Sequence, residues 1–245
     1  MYHNIEILEG AFVVSDAHYS RHRSELLDFI KDIHSKKLQP TQLIFMGDMF
    51  DALFGGVVYT QQTNLEAIKL LNEISIEIEV IYLEGNHDFN LKNIFPHVKV
   101  FPISQQPVTC QFNDRKILLA HGDIEGASGY KIYTSLIRNP FVLFLLAVLD
   151  SISGHYILNK LDTYLSKKDD CKEFIGFRQF ISNRLSGKYS CDYFIEGHFH
   201  QNKTIEFEDF IYINLGVFAC NQRYFTVKSS KGIVLEEENF FSKGI

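Results

Sequence analysis

Six short runs of apolar, largely β-branched residues, each ending in Gly, Asp, His or Asn, constrain this chain more than any other feature. They are AFVVSD at 11–16, LIFMGD at 43–48, VIYLEGN at 80–86, KILLAHGD at 116–123, YFIEGH at 193–198 and IYINLG at 211–216. Runs this short and this apolar predict strands buried on both faces. Between the first three, the stretches 24–38 and 64–78 repeat apolar residues at helical spacing: Leu26, Leu27, Ile30 and Ile33, then Leu65, Ile68, Leu71 and Ile74. Alternating strand and helix predicts a layered α/β fold. In such folds ligands bind just beyond the carboxyl ends of the strands, which is where these runs turn polar.

Five polar motifs occupy those ends in order: Asp16-x-His18, Gly47-Asp48-x-x-Asp51, Gly85-Asn86-His87-Asp88, His121-Gly122-Asp123 and Gly197-His198-x-His200. A lone DxH is usually a loop with a surface carboxylate, and a lone HxH is usually a strand edge. Their joint occurrence is another matter, because five of the ten histidines fall inside the motifs and every motif follows a predicted strand. Asp, Asn and His without a thiolate form a donor set for hard or borderline divalent cations. Manganese is the first expectation, with iron, zinc or magnesium as alternatives. The glycines beside the ligands fit tight turns that bring backbone close to an ion.

Composition narrows the function classes. A chain of 245 residues with 46% hydrophobic content can bury a sizeable core, and one catalytic domain with an insertion is expected. The formal charge of -6 argues against a general nucleic-acid binder. Cys110, Cys171, Cys191 and Cys220 form no CxxC pair, so neither a zinc ribbon nor a disulfide framework is expected and a reducing compartment fits. The start MYHNIEILEGAFVVSD lacks the basic and apolar segments of a secretory signal. A cytoplasmic location is therefore expected.

The ordered motif set resembles the calcineurin-like metallophosphoesterase superfamily, whose DxH, GDxxD, GNHD, HG[DH] and GHxH pattern is matched over residues 16–200. The resemblance implies an α/β fold of two mixed sheets packed as a sandwich and flanked by helices. It further implies that Asp16, His18 and His200 hold one metal, that Asn86, His121 and His198 hold a second, and that Asp48 bridges them. His87 would face the phosphate as the catalytic group, oriented by Asp88, while Asp51 and Asp123 would support the ligands. Such a pair of cations binds phosphate oxygens, activates water and stabilises an in-line transition state.

Residues 127–188 interrupt the rhythm and read as an inserted helical cap, leaving 1–126 and 189–245 as the core. The insertion holds nine Lys/Arg against five Asp/Glu, leaving fifteen against twenty-five in the remainder, so it is a basic island on an acidic protein. Its run PFVLFLLAVL at 140–149 is about half the roughly twenty residues that span a bilayer. It reads as a cap helix or an apolar face offered to acyl chains or an anionic membrane surface.

A basic, apolar lid between HGD and GHxH is similar to that of the UDP-2,3-diacylglucosamine hydrolases of lipid A synthesis, which release UMP and 2,3-diacylglucosamine 1-phosphate. His87 departs from the GNRD of the best-known branch. The resemblance implies a UDP-linked acylated sugar as substrate, peripheral attachment to the inner face of the cytoplasmic membrane and no obligate protein partner. Phe141, Phe144 and Leu145 are the expected acyl contacts, and Arg178, Arg184 and Lys188 the expected diphosphate or uridine contacts. Two alternatives stand beside this reading. One is a soluble nucleotide or phosphoprotein phosphoesterase, and the other a non-catalytic scaffold or membrane-surface protein.

Overall fold

The structure, a computed structural model, describes residues 5–123, 128–230 and 232–240. In chain order the strands are β1 (Ile5–Glu6), β2 (Phe12–Val14), β3 (Gln42–Phe45), β4 (Leu53–Phe54), β5 (Glu79–Leu83), β6 (Asp88–Phe89) and β7 (Lys99–Phe101). They continue as β8 (Val108–Phe112), β9 (Arg115–Ala120), β10 (Tyr193–Glu196), β11 (Lys203–Glu206), β12 (Ile211–Asn214), β13 (Arg223–Ser229) and β14 (Ile233–Asn239). The helices are α1 (Glu25–His34), α2 (Val58–Thr63), α3 (Leu65–Glu77), α4 (Ser128–Arg138), α5 (Pro140–Ile152), α6 (Tyr156–Leu165), α7 (Phe177–Leu185) and α8 (Phe218–Asn221). Each of the six apolar runs contains a strand, and the five that lead into motifs end before the motif begins.

Two six-stranded mixed sheets carry the architecture, in the orders β14-β13-β2-β3-β5-β7 and β1-β8-β9-β10-β12-β11. Strands β2, β3, β5 and β7 run parallel in the first sheet, as do β9, β10 and β12 in the second. Alternation along each strand then builds three cores. Val13, Ile44 and Ile81 meet Ile117, Leu119 and Ile195 between the sheets. Phe12, Val14, Leu43 and Tyr82 face the other way, onto α1 and α3. Leu118, Phe194 and Tyr212 face Phe177, Ile181 and Leu185 of α7. Burial on both faces is why these strands are continuously apolar.

That last contact moves a boundary. Residues 177–185 were expected in the cap, yet α7 packs on the sheet as a core helix, so the projecting cap is α4 to α6. The expected start at 127 lies outside the described residues. Asn139 begins α5 by accepting hydrogen bonds from the amides of Phe141 (3.0 Å) and Val142 (3.2 Å), and Pro140 occupies the first helical position. Among the described residues no single helix is long and apolar enough to cross a membrane, although α4 and α5 pass that test jointly by length and composition with a 69° bend between them.

The cysteines also correct an expectation. Cys171, between α6 and α7, is joined by a disulfide to Cys220 on α8. The pair is 49 residues apart in sequence, so only the tertiary fold brings it together. A disulfide runs against the reducing compartment that the cysteine spacing suggested.

Candidate metal centre

The motif loops leave the ends of parallel strands that lie side by side, so they converge. Asp16 donates its amide to the Gly47 carbonyl (3.2 Å) and His18 to that of Asp48 (3.0 Å). The short parallel pair β4 and β6 ties the third motif to the second, with the Leu53 amide on the His87 carbonyl at 3.1 Å. Asp16, His18, Asp48, His198 and His200 all adopt positive φ between 48° and 61°. Left-handed backbone is costly for these residue types and concentrates where a side chain must be aimed. Close approach does the rest: a Cβ at Gly85 would overlap Asp48 Oδ1, and one at Gly197 would overlap Ser15 Oγ and Asp16 Oδ2.

Among the described residues the donor atoms form three groups, and one of them, His18, Asp51 and His87, shares His18 with another. Asp16, His18 and His200 offer atoms within 4.8 Å of one another, and Asp48, His121 and His198 form a second such group. Asn86 Oδ1 is 3.4 Å from His121 Nε2, placing it with the second. Asp48 belongs to the second group, with His121 Nε2 3.3 Å from its Oδ2.

Three histidines are aimed by one device. His121 Nδ1 lies 2.9 Å from the Met46 carbonyl, His200 Nδ1 2.6 Å from that of Asp170, and His87 Nδ1 3.0 Å from that of Asp51. A carbonyl oxygen only accepts, so Nδ1 carries the proton and Nε2 is left facing the site. His18 Nδ1 lies instead 3.2 Å from the Asp51 carboxylate. Its Nε2 is buried without a hydrogen-bond partner among the described residues. A buried, unpartnered ring nitrogen among carboxylates is what a metal ligand requires and what a purely structural histidine avoids. The residues fit two divalent cations.

Electrostatics agree with that fit. Burial opposes charge on both Asp48 and His121, yet their mutual attraction holds the carboxyl well below its usual range and the imidazole well above. Burial likewise opposes charge on Asp16 and His200, and their pairing at 3.1 Å again lowers the one and raises the other. A cation at these atoms would displace the shared protons. Burial, helped by the neighbouring His121, pushes His198 down to about 4, so its ring is neutral and its lone pair available.

Asp88 corrects the expectation that it orients His87. Its carboxylate accepts from the amides of Asp48 (3.0 Å), Met49 (2.6 Å), Phe50 (3.3 Å) and Gly85 (3.0 Å) and from the Tyr82 hydroxyl (2.6 Å). It is a clamp that closes the second and third motifs on each other. Burial first, and the Asp48 charge second, push it up to about 7. His87 is oriented by the Asp51 backbone instead.

Other expected contacts also move. Arg184 is buried, paired with Glu196 and bonded to the Gly122 carbonyl at 3.1 Å, so it braces the HGD loop and does not reach toward a substrate. Arg178 and Lys188 lie exposed on and just after α7 and are not among the residues that line the cap cavity. Phe141, Phe144 and Leu145 are 69%, 58% and 46% exposed on the outer side of α5. The inner side, at helical spacing, is Leu143, Leu146, Ala147 and Asp150.

Those inner residues roof a cavity of about 430 Å³ that begins at Asn86 and His87 and runs beneath the cap, walled by Ile137, Leu143, Leu146, Ile157, Leu158 and Leu161. Two residues that sequence reasoning missed hold the margins. Arg138, at the end of α4, donates to the Gly85 carbonyl (2.9 Å) and Asp123 (3.2 Å), pinning the cap to the third and fourth motifs. Asp170 accepts His200 through its carbonyl and Arg23 through its carboxylate at 2.7 Å. Neither lies in a motif. Their only sequence signal is charge inside an apolar insertion.

A sequence model of the calcineurin-like phosphoesterases matches residues 11–202. The chain belongs to that family. This calcineurin-like phosphoesterase is 24% identical over 203 residues to the UDP-2,3-diacylglucosamine hydrolase of Stutzerimonas stutzeri strain A1501, covering 80% of this chain and 84% of that one. It is 23% identical over 225 residues to the enzyme of the same name from Haemophilus influenzae strain PittGG, covering 87% and 92%. Among solved structures it is similar to a dimetal phosphatase from Danio rerio, with a TM-score of 0.47 and 14% identity, covering 94% and 95%. The phosphoesterase is thus a metal-dependent hydrolase whose family implies divalent cations.

Proposed function

We propose that this phosphoesterase cleaves the diphosphate of a UDP-linked diacylated glucosamine, releasing UMP and the acylated sugar 1-phosphate. The observation that carries the reading is the apolar cavity, which opens directly from Asn86 and His87 and is roofed by the cap. Its walls are mostly apolar and suit acyl chains better than a soluble nucleotide or phosphoprotein. The relatives bear the name of that activity at low identity over most of both chains.

Asp16, His18 and His200 would hold one cation, Asn86, His121 and His198 the other, and Asp48 both. Manganese is the ion we assign, from the oxygen and imidazole donor set. The bound pair supplies an acidified water and charge neutralisation at the phosphate. The chain's own contribution is positional. His87, its Nδ1 held by the Asp51 carbonyl, turns Nε2 to the edge of the cavity, where a protonated ring can stabilise charge on a phosphate oxygen or protonate the departing one. Asp88 keeps the Asp48 and Asn86 loops in register, and the apolar roof excludes bulk water.

The outer face of α5 completes the picture. Phe141, Phe144, Leu149 and Ile152 project together and are 57–81% exposed. That face would rest on the membrane from which a lipid substrate is drawn, with the basic insertion favouring anionic lipid. We place the protein at the cytoplasmic side, although the Cys171–Cys220 disulfide is a feature more usual of oxidising compartments. Protease digestion of intact against lysed cells tests the placement: protection until lysis is expected, and digestion in intact cells removes it.

The deciding experiment is UMP release from UDP-2,3-diacylglucosamine by metal-stripped protein with manganese restored, beside UDP-N-acetylglucosamine and a chromogenic phosphodiester. A strong manganese-dependent preference for the diacylated substrate is expected. Hydrolysis of the simple ester alone would retain the metal chemistry and discard the lipid substrate.

A further inference from the structure

A diphosphate laid across the metal loops has two ends, and the apolar cavity accounts for only one of them. A second cavity, of about 210 Å³, lies on the other side of Asp51, Leu158 and Leu165, three residues that line both. Its floor is made by the metal loops themselves, through Tyr19 and Ser20 directly after His18 and Ala52 directly after Asp51. Its far wall is Thr60, Thr63 and Asn64, and its lip on the cap is Asn159.

We infer that this second cavity is a subsite for an uncharged heterocyclic base with both donor and acceptor edges, of pyrimidine size, at the nucleoside end of the substrate. The inference rests on the proposed UDP-linked substrate and gives that substrate a direction across the site, acyl chains to one side of Asp51 and base to the other.

Three observations carry it. The first is polarity without uncompensated charge. Asp51 is held by His18, and Asp162 is paired with Arg21 at 2.5 Å and His22 at 3.3 Å, so the lining suits a neutral polar ring better than a phosphate. The second is an unmet hydrogen bond. Ser20 is 9% exposed, and its Oγ has no partner among the described residues, a cost that a ligand in the cavity would relieve. Asn64 spends its amide N–H groups on the carbonyls of Ala52 (3.0 Å) and Thr60 (2.7 Å), leaving an acceptor, and Asn159 accepts from the Tyr59 hydroxyl only at 3.4 Å. The third is size. The cavity falls below the roughly 300–1,000 Å³ of sites for larger ligands, so it takes one ring with part of its sugar.

The test uses hydrolysis of the chromogenic phosphodiester by the manganese-loaded protein, with UMP and ribose 5-phosphate as competing inhibitors. UMP is expected to inhibit about tenfold more tightly than ribose 5-phosphate, a difference of ~1.4 kcal/mol. Thr63→Trp, which fills the cavity, and Asn159→Leu, which removes polar contacts at its lip, should erase that difference and raise KM for UDP-linked substrate. Both should leave kcat and KM for the chromogenic ester unchanged. Equal inhibition by the two phosphates in the parent protein overturns the subsite, as do variants that keep the preference for UMP. The lipid reading fails separately, on absence of diacyl preference, and a surviving preference for UMP would then still support the base subsite.

Discussion

The metal-facing loops bury their polar atoms and hold several of them through more than one hydrogen bond, whereas the cap above them exposes apolar residues and is tied down at a few points. In the loops, Asp88 alone accepts five hydrogen bonds, and three histidines are locked through Nδ1 to backbone carbonyls. The cap instead meets the core through Arg138, the Arg21–Asp162 pair and Tyr59 stacked on His155 at 3.8 Å. The small apolar group around Val57, Phe89 and Leu143 supplements them. A charge-handling centre needs fixed geometry because a misplaced donor loses most of its effect. Under the proposed function the cap would receive flexible acyl chains, a task that needs only shape and apolarity. Chemistry and specificity are thus assigned to parts with different tolerance of change.

Substitutions break this comparison in a graded way. The largest effect is expected of Asp48→Ala, which should empty the centre and lower turnover by roughly a thousandfold or more, past the 10–100-fold typical of a residue that only supports a ligand. Metal content by mass spectrometry beside activity decides it, and normal values for both would remove Asp48 as the bridge. His87→Ala should keep both metals while kcat falls by about 10²–10³, the scale of a positioned proton donor. Parent-like kcat with full metal occupancy would leave His87 a structural role only.

Arg138→Met tests whether the few cap ties reach into the loops. Because the guanidinium holds the Gly85 carbonyl next to Asn86, kcat should drop by roughly 10–100-fold on chromogenic and lipid substrates alike, with partial recovery in Arg138→Lys. A loss confined to the lipid substrate would show that Arg138 serves the cap alone. The smallest effect belongs to the outer face. Phe144→Asp with Ile152→Asp should weaken binding to anionic vesicles about tenfold, or ~1.4 kcal/mol, while the chromogenic ester is turned over at the parent rate. Unchanged flotation with vesicles would detach that face from the membrane.

Much of the centre is legible in the amino-acid sequence because strand-end motifs depend on local order. An apolar run must stop where the sheet stops, and the residue types that follow it can be read directly. The helices at 25–34 and 65–77 are legible for the same reason, through apolar periodicity. The role of Asp88 is not, since adjacency to His87 says nothing of direction: successive side chains of an extended segment point apart, and Asp88 turns into the protein while His87 turns out. Arg184 reads in the sequence as a substrate-facing cation and is the buried partner of Glu196, twelve residues on. Both errors concern which way a side chain faces.

The sequence by itself determined the layered fold, the order of the loops and the donor set, because each follows from short-range pattern and from which atoms can bind a divalent cation. Tertiary structure alone decided which side of α5 faces the cavity, that α7 belongs to the core, that Cys171 meets Cys220 and that Arg138 and Asp170 brace the site. Those outcomes depend on contacts between segments tens of residues apart. A helix apolar on every side, such as 140–152, carries no pattern that says which face its neighbours will cover.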